Sequence, residues 1–374
     1  MADNFTKNRV VAAMSGGVDS SVAAAQLLEQ GMEVIGITLN LSCTTNSSDR
    51  SCCSLAAAQD AKKVADLLGI PHYTLNFKDE FQKLVIDDFI EEYNNGRTPN
   101  PCVRCNQFIK FDQLLKKAEE LGAEYVATGH YARIQPLSPI PFPLTKGEGE
   151  KGVRGYHLLK GQDPKKDQSY VLYRLTQDQL AHIFFPLGEM TKKEVREKAR
   201  ELKLPVAEKE ESQEICFVED DDYGRFLKKK IPEAVKPGPI LDQKGKQIGE
   251  HEGILFYTIG QRKGIGAHGE RKYVTALDPK KNAVIIGEEA DLYKSEVAAE
   301  KVSFVSGEPS DENLDISAKI RYNSPAYPAE LVSVSADKVK VRFKSPQRAV
   351  TPGQSVVFYQ GEEVLGGGII SGGW

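Results

Sequence analysis

Residues 9–30 read RVVAAMSGGVDSSVAAAQLLEQ, and this stretch decides the fold of the first half of the chain. The apolar run at residues 9–14 predicts a buried strand, and small and apolar residues at helical spacing after Ser20 predict a helix. Between them lies SGGVDS at residues 15–20, whose glycines allow a tight turn. The segment therefore predicts a strand, a glycine-rich loop and a helix in direct succession.

The loop at residues 15–20 has the composition of a phosphate-binding loop. Its backbone N–H groups and serine hydroxyls can donate to phosphate oxygens, and the positive end of the following helix points the same way. Asp19 can hold Mg²⁺ against a pyrophosphate. No Gly-Lys-Ser/Thr follows, which argues against a Walker loop that transfers a γ-phosphate. The loop resembles the pyrophosphate loop of enzymes that cleave ATP between its α and β phosphates.

The rest of the first half alternates strand and helix patterns. Strands are predicted at residues 33–39, 72–76 and 125–127, and helices at 55–68, 80–93, 111–121 and about 191–202. This alternation predicts a parallel sheet with helices on both faces and ligands beyond the carboxyl ends of its strands. Four prolines and a glycine-rich charged run predict a mobile surface insertion at residues 135–155.

Beyond Cys216 the pattern changes to short β-branched runs between glycine and proline turns. These runs, for example at residues 329–334 and 355–359, predict all-β modules. We therefore predict three domains. They are an α/β catalytic domain at residues 1–217, a small β-rich central domain at 218–290 and a C-terminal β-barrel at 291–374.

Composition restricts the class of protein. With 374 residues, 40% hydrophobic and 27% charged, the chain is typical of a soluble protein, and neither a membrane span nor a signal peptide is predicted. We expect a cytoplasmic protein without a membrane partner. A net charge of −4 means that any nucleic acid must be held by a local basic patch. Lysine, arginine and glutamate alternate at residues 192–203, which favours a solvated helix over RNA contact.

The six cysteines are Cys43, Cys52, Cys53, Cys102, Cys105 and Cys216. In a reducing compartment such thiols are reactive groups or metal ligands more often than disulfides. Cys102 and Cys105 form a Cys-x-x-Cys in a proline-stiffened segment before a helix, where the helix end and Arg104 can favour the thiolate. Zinc, an iron-sulfur cluster, a redox dithiol and two unreactive thiols all fit this spacing. The first three cysteines are interpreted as exposed thiols without a role.

Six motifs occur in one order along the chain. They are SGGVDS at 15–20, GRTPNP at 96–101 leading to Cys105-Asn106, ATGHYAR at 127–133, KDQSY at 166–170, SQEICF at 212–217 and YTIGQRKG at 257–264. This order resembles that of the tRNA-specific 2-thiouridylases, from about residue 9 to the C-terminus without the insertion. The resemblance implies an adenine nucleotide α-hydrolase-like first domain, a tRNA-binding barrel and ATP-dependent replacement of the C2 oxygen of a wobble uridine by sulfur.

The resemblance also implies roles for single residues. Cys105 corresponds to the nucleophile and Cys216 to the persulfide carrier, while Asn100, Pro101 and Cys102 face the target base. The implied ATP contacts are Ala13, Met14, Ser15, Gly16, Gly17, Val18, Asp19, Ser20, Leu39 and Gly129. The implied tRNA contacts are His130, Lys166, Asp167, Gln168, Arg321, Tyr322 and Gln354. Arg321 and Tyr322 suit this role because a guanidinium binds phosphate and an aromatic ring stacks a base.

One departure from the family pattern is Cys102, where many members carry aspartate. Members with Cys-x-x-Cys and a distant third cysteine are those for which an iron-sulfur cluster is proposed, here with Cys102, Cys105 and Cys216 as ligands. In the persulfide version Cys216 carries the sulfur and Cys105 resolves it through a transient disulfide. Both versions use ATP, Mg²⁺, tRNA and a persulfide or sulfide donor, either a protein or a small molecule, and neither uses DNA.

Two other classes of protein share part of this pattern. An amide-forming synthetase that adenylates its substrate has the pyrophosphate loop but does not require three separated thiols. A non-enzymatic iron-sulfur or tRNA-binding module does not require the loop at residues 15–20. Sulfur incorporation into tRNA and pyrophosphate release distinguish these classes.

Overall fold

The structure is a computed structural model that describes residues 8–41, 55–137, 155–210, 215–218, 222–266, 269–335 and 337–371. Cys43, Cys52 and Cys53 lie outside the described residues, as do residues 138–154 of the predicted insertion and residues 212–214 of the SQEICF motif. Cys102, Cys105 and Cys216 lie within the described ranges, so their surroundings are defined.

A five-stranded parallel sheet forms the centre of the first domain, in the order β3-β2-β1-β4-β7. Its strands are β1 (Arg9–Ala13), β2 (Glu33–Asn40), β3 (His72–Asn76), β4 (Tyr125–Ala127) and β7 (Ile183–Phe184). Along β1, Val10 and Ala12 belong to one core cluster and Val11 belongs to another. Because successive side chains of a strand point to opposite faces, the sheet is buried on both sides. The predicted parallel sheet is confirmed.

Helices cover both faces of this sheet. One face packs against α1 (Val18–Glu29), α2 (Leu55–Leu68) and α8 (Lys192–Glu201). The other face packs against two longer helical segments. The first comprises α3 (Lys78–Phe81), a π-helical stretch (Gln82–Ile86) and α4 (Asp87–Asn94), and the second comprises α5 (Pro101–Arg104), a π-helical stretch (Cys105–Gln113) and α6 (Leu114–Glu120). A short helix, α7 (Gln177–Leu180), precedes β7.

The second helical segment begins ten residues earlier than predicted, at Pro101 instead of residue 111. Asn100 is its N-cap, with a side chain that accepts from the backbone N–H of Cys102 at 3.2 Å. Proline suits the first helical position because its φ is already helical and its missing N–H would be unpaired there. Cys102 and Cys105 therefore lie in the first turns of the helix and not in a loop before it.

A four-stranded sheet follows α9 (Tyr223–Lys230), in the order β10-β11-β8-β9. Its strands are β8 (Gly238–Leu241), β9 (Gln247–His251), β10 (Tyr273–Asp278) and β11 (Ala283–Gly287). Ile240, Val274, Val284 and Ile286 form its apolar core with neighbouring side chains. This module is small and rich in strands, as predicted.

Six antiparallel strands then close into a barrel, because β12 pairs with both β15 and β17. They are β12 (Tyr293–Phe304), β13 (Leu314–Lys319), β14 (Tyr327–Val334), β15 (Lys338–Arg348), β16 (Ser355–Gln360) and β17 (Glu363–Ile370). Closure leaves no sheet edge within these six strands. The predicted C-terminal barrel is confirmed.

A hairpin from the first half of the chain joins the barrel sheet. Its strands, β5 (Ala132–Pro136) and β6 (Tyr156–Lys160), pair with each other, and Leu159 pairs with Glu363 of β17. Tyr170, fully buried, donates its hydroxyl to the carbonyl of Ser355 at 2.8 Å. The first domain and the barrel therefore share one apolar cluster. Among the described residues, no helix has the length and apolar character needed to cross a membrane.

Candidate active site

The glycine-rich loop between β1 and α1 has one tightly fixed conformation. Gly16 has a φ of +68°, and a Cβ there would lie 2.1 Å from the carbonyl oxygen of Ala57, so only glycine fits. The backbone N–H of Ser15 donates to Ser20 Oγ at 3.1 Å, which folds the loop back on the start of α1. Gly17 is the extended N-cap of α1, so the N–H groups of the first helical turn are directed at the loop.

The other predicted ATP contacts lie at the carboxyl ends of neighbouring strands. The backbone N–H of Met14 donates to Ile37 in β2 at 2.8 Å, and Leu39 follows further along the same strand. Gly129 lies two residues after β4, where a Cβ would be 2.7 Å from the backbone nitrogen of Ser20. The fold therefore brings the predicted nucleotide contacts to one edge of the sheet, where α/β proteins bind ligands.

Two lysines that the sequence patterns did not identify contact the loop. Lys192 Nζ lies 2.7 Å and 2.9 Å from the two carboxylate oxygens of Asp19. Lys209 Nζ donates to the carbonyl of Gly16 at 3.0 Å and pairs with Asp60 at 2.7 Å. Two ammonium groups therefore lie at the loop, where they can bind phosphate oxygens. The hydroxyl of Tyr131 also donates to Asp19, at 2.7 Å.

Lys192 corrects the interpretation of residues 192–203 as a solvated helix face. It is the first residue of α8, and its side chain is only 12% exposed. The helix dipole disfavours a cation at a helix N-terminus, but this applies to Lys192 and Lys193 alike and does not single out Lys192. The next residue, Lys193, has a side chain that is 85% exposed and fits the solvated interpretation.

Cys105 and Cys216 belong to one apolar cluster although they are far apart in sequence. Cys105 is buried, with 8% exposure, and Cys216 is partly buried against the cluster that contains it. Ala13 and Leu39, both predicted ATP contacts, pack in the same cluster. Cys102 is exposed. Two of the three predicted sulfur residues therefore belong to the same apolar cluster as two of the predicted ATP contacts.

An aromatic cluster holds the segment that carries Cys216. The ring of Phe217 lies 5.7 Å from Phe81, 5.2 Å from Phe89 and 5.4 Å from Phe226, measured between centroids. Aromatic pairs at these distances contribute about 0.5–1.5 kcal/mol each beyond the area they bury. Phe217 therefore anchors the short stretch 215–218 to the helices beside Cys105.

Replacing Phe217 by alanine should weaken this anchor. We expect the tRNA thiolation that the sequence resemblance implies to fall about tenfold, because Cys216 loses its fixed position and misplacement of a reacting group is costly. ATP affinity should change less than twofold, because the ring contacts of Phe217 are with Phe81, Phe89 and Phe226, outside the loop at residues 15–20. Rapid-quench thiolation and calorimetric ATP binding measure the two effects. Equal losses in both would indicate general unfolding.

The described residues do not present a ligand set for a metal ion or cluster. No three histidine, cysteine, aspartate or glutamate side chains within these ranges are arranged to hold a metal. Cys102, Cys105 and Cys216 are all included, so they do not converge as cluster ligands in this structure. Arg104, the residue between the two cysteines that the sequence suggested could favour a thiolate, has other partners in the structure. It pairs with Asp88 at 3.0 Å and donates to the carbonyl of Leu84 at 2.9 Å.

Three predicted tRNA contacts of the first domain already have internal partners for their side chains. His130 is buried between Phe111 and Phe185, and its Nδ1 lies 2.6 Å from the hydroxyl of Thr128. Burial holds the pKa of His130 well below its usual value, so the ring is neutral. Asp167 accepts from the backbone N–H groups of Gly161 and Ser169 at 3.1 Å and 3.0 Å. Gln168 Oε1 accepts from the backbone N–H of Tyr131 at 2.9 Å.

The remaining predicted tRNA contacts differ in exposure. Tyr322 is exposed, whereas Lys166 and Gln354 are half-buried. The side-chain amide of Gln354 donates to the carbonyls of residues 98 and 99. Arg321 is half-buried and donates to the carbonyl of Ala349 and to Thr351 Oγ1. Burial lowers the pKa of Arg321 from its ordinary value. Tyr322 is thus the residue of this group with the most accessible ring.

The fold and the site define a class of proteins in which a nucleotide-binding α/β domain is joined to two β modules. Three family models match the chain in succession. They are a "tRNA methyl transferase HUP domain" at residues 8–220, a "tRNA methyl transferase PRC-barrel domain" at 224–288 and an "Aminomethyltransferase beta-barrel domain" at 294–370. Together they cover nearly the whole chain.

Curated relatives identify the family within this class. The tRNA-specific 2-thiouridylase MnmA 1 of Caldanaerobacter subterraneus subsp. tengcongensis is 52% identical over 368 residues, covering 97% of this chain and 98% of the relative. The tRNA-specific 2-thiouridylase MnmA of Clostridium acetobutylicum is 50% identical over 366 residues, covering 97% and 99%. The chain therefore belongs to the tRNA-specific 2-thiouridylase family of enzymes.

Proposed function

We propose that this chain is a sulfurtransferase that thiolates C2 of a tRNA uridine at the expense of ATP, with release of AMP and pyrophosphate. One observation carries the proposal. Cys105 and Cys216 pack in one cluster with Ala13 and Leu39, beside the glycine-rich loop. A phosphate-binding loop and two thiols linked by one apolar cluster suit a reaction that first activates an oxygen and then replaces it with sulfur.

The first step is adenylation of the uridine. The C2 oxygen attacks the α-phosphorus of ATP, the bond to the β-phosphate breaks and pyrophosphate leaves. The N–H groups of residues 15–20, together with Lys192 and Lys209, would stabilise the charge on the departing pyrophosphate. Mg²⁺ bound with ATP would neutralise part of that charge, and Asp19 is the carboxylate at the loop that would hold it.

The second step transfers sulfur from a persulfide on Cys216. The terminal sulfur attacks C2, and AMP leaves with the original oxygen. The Cys105 thiolate then attacks the sulfur of Cys216, which breaks the S–S bond and returns the electron pair to the new thiocarbonyl. The resulting Cys105–Cys216 disulfide must be reduced by an external dithiol, and a persulfide donor, either a protein or a small molecule, must reload Cys216. No step is assigned to an iron-sulfur cluster.

We also propose a division of labour among the domains. Residues 1–217 would hold ATP and the reacting thiols, residues 218–290 would form the central β domain and residues 291–374 would provide a tRNA-binding barrel. Tyr322 and Arg321 on the barrel, with Lys166, His130, Asp167 and Gln168 of the first domain, are the proposed tRNA contacts, whereas the side-chain amide of Gln354 is already bonded to residues 98 and 99. Asn100, Pro101 and Cys102 are the proposed neighbours of the target base.

The proposal is tested by incubating the purified chain with Mg²⁺, ATP, unmodified tRNA, a dithiol and a persulfide donor. We expect sulfur in the tRNA, detected by retardation in mercury-containing gels, with one AMP and one pyrophosphate per sulfur. An amide product without thiolated tRNA would support an amide-forming synthetase instead. Absence of pyrophosphate release with any tRNA would support a non-enzymatic binding module.

A further inference from the structure

The segment that enters the cysteine-bearing helix is held by the barrel. We call residues 97–100 the helix-entry loop. The backbone N–H of Thr98 donates to the carbonyl of Pro352 at 2.8 Å. The side-chain amide of Gln354 donates to the carbonyls of both Thr98 and Pro99, at 2.9 Å and 3.2 Å. Three hydrogen bonds from one barrel turn therefore fix two consecutive residues of the helix-entry loop.

The same loop is enclosed on its other sides. A Cβ on Gly353, whose φ is +92°, would lie 2.8 Å from the backbone nitrogen of Thr98, so the two backbones are in direct contact. The hydroxyls of Thr98 and Thr258 in the central domain are 3.1 Å apart. Arg97 bridges Glu92 of α4 and Glu300 of β12 at 2.7 Å and 2.8 Å. The loop is therefore in contact with all three modules.

The hydrogen bonds continue from the loop into the helix. Pro99 and Pro101 fix two φ angles around Asn100, which leaves the loop few alternative conformations. Asn100 then caps the backbone N–H of Cys102, and Cys105 is buried one turn later. Loss of a cap of this kind destabilises the start of a helix. The placement of both thiols therefore depends on how the helix-entry loop is held.

We propose that Gln354 is a positioning residue for Cys105, which acts from the barrel through the helix-entry loop and the Asn100 cap. The amide nitrogen of Gln354 lies within hydrogen-bond distance of both loop carbonyls, so its side chain serves this contact before any RNA is bound. Arg321 supports the same turn from behind through its bonds to Ala349 and Thr351. The kinetic part of this proposal rests on the proposed thiolation, whereas its structural part concerns the protein alone.

The test compares Gln354→Met with Gln360→Met in the full-length protein. Methionine keeps the length of glutamine but removes both donors, and Gln360 is an exposed glutamine at the end of β16. In tRNA-free protein, iodoacetamide labelling of Cys105, followed by peptide mass spectrometry, should be at least about threefold faster in Gln354→Met, because the first helical turn opens more often. With tRNA, kcat should fall about tenfold at unchanged KM and unchanged tRNA affinity. The Gln360→Met protein should match wild type in every measurement.

Two outcomes would overturn the proposal, and a third would separate it from the proposed thiolation. A tRNA affinity at least tenfold weaker, with unchanged kcat and unchanged Cys105 labelling, would make Gln354 an RNA contact only. Wild-type labelling and wild-type kcat together would leave it without a role. Faster labelling of Cys105 in a chain that proves inactive even as wild type would retain the positioning role and reject the thiolation.

A second pair of variants separates positioning from general unfolding. Asn100→Ala removes the N-cap through which we propose that Gln354 acts. The double variant Asn100→Ala/Gln354→Met should therefore label at Cys105 no more than about 1.5-fold faster than Asn100→Ala alone. If the two substitutions instead multiply each other's effects on the labelling rate, Gln354 and Asn100 act independently and the proposal is contradicted. If Gln354→Met does not fold, Gln354→Asn keeps an amide that is one methylene shorter. Gln354→Asn should also accelerate iodoacetamide labelling of Cys105, by a smaller factor than Gln354→Met. A labelling rate equal to that of wild type would contradict the proposal.

Discussion

Replacing Cys105 or Cys216 by alanine is expected to reduce tRNA thiolation by on the order of 10³-fold or more, because each variant lacks a sulfur atom that takes part in bond formation. ATP affinity should stay within about twofold of wild type, since both thiols lie beside the strand ends and not in the loop at residues 15–20. Mercury-gel assays of tRNA and calorimetric ATP titration measure the two quantities. Equal activity in either variant would remove that cysteine from the mechanism.

Cys102→Ala is the matched control for this experiment. Cys102 is exposed and does not converge with the other two cysteines, so thiolation should fall by less than about tenfold. Iron and sulfide should be measured in wild type and variant after anaerobic purification. Stoichiometric iron in active wild type, lost together with activity in Cys102→Ala, would establish the cluster version and reject the persulfide steps proposed above.

Lys192→Met is expected to reduce tRNA-dependent pyrophosphate release by about 100-fold. Its ammonium group lies at the loop, paired with Asp19, and would face phosphate oxygens when ATP is bound. Removing one preorganised charge partner of a transition state costs factors of this size. Because the adenylation step would fail, thiolation should fall by the same factor, while tRNA affinity should stay within about twofold.

The control for Lys192 is its neighbour, Lys193→Met. Lys193 carries the same charge on the same helical turn, but its side chain is largely exposed and pairs with Glu197. Its loss should change pyrophosphate release less than twofold, and salt should affect both proteins alike. Similar losses in the two variants would indicate a diffuse electrostatic effect and would contradict a direct role for Lys192 in holding phosphate.

Local patterns were sufficient to predict the parallel sheet and the nucleotide loop. In residues 9–30 the apolar run, the glycines and the helical spacing all indicate the same arrangement, and each depends on residues close in sequence. Parallel pairing then brings Gly129 to the loop, because the carboxyl ends of parallel strands meet at one edge. The family resemblance gave the candidate residues, and the fold brings Cys105 and Cys216 into one cluster.

Features that depend on distant partners could not be predicted from local patterns. The bond between Lys192 and Asp19 joins residues 173 positions apart, and nothing in the charge alternation of α8 reveals it. From the sequence, the prolines around Asn100 indicated a loop. Pro101 starts a helix because Asn100 caps it, and this cap is visible only in the folded structure. The bonds from Gln354 to Thr98 and Pro99 likewise require the folded barrel.

The hairpin β5–β6 has a consequence for how the protein is made. A chain leaving the ribosome presents this hairpin long before β17, its partner in the sheet, has been synthesised. Until then its outer edge is unpaired, and Tyr170 and Tyr173 have none of the barrel side chains that later bury them. A fragment that stops at residue 217 should therefore self-associate, and the catalytic half should gain full solubility only when the last strand has been translated.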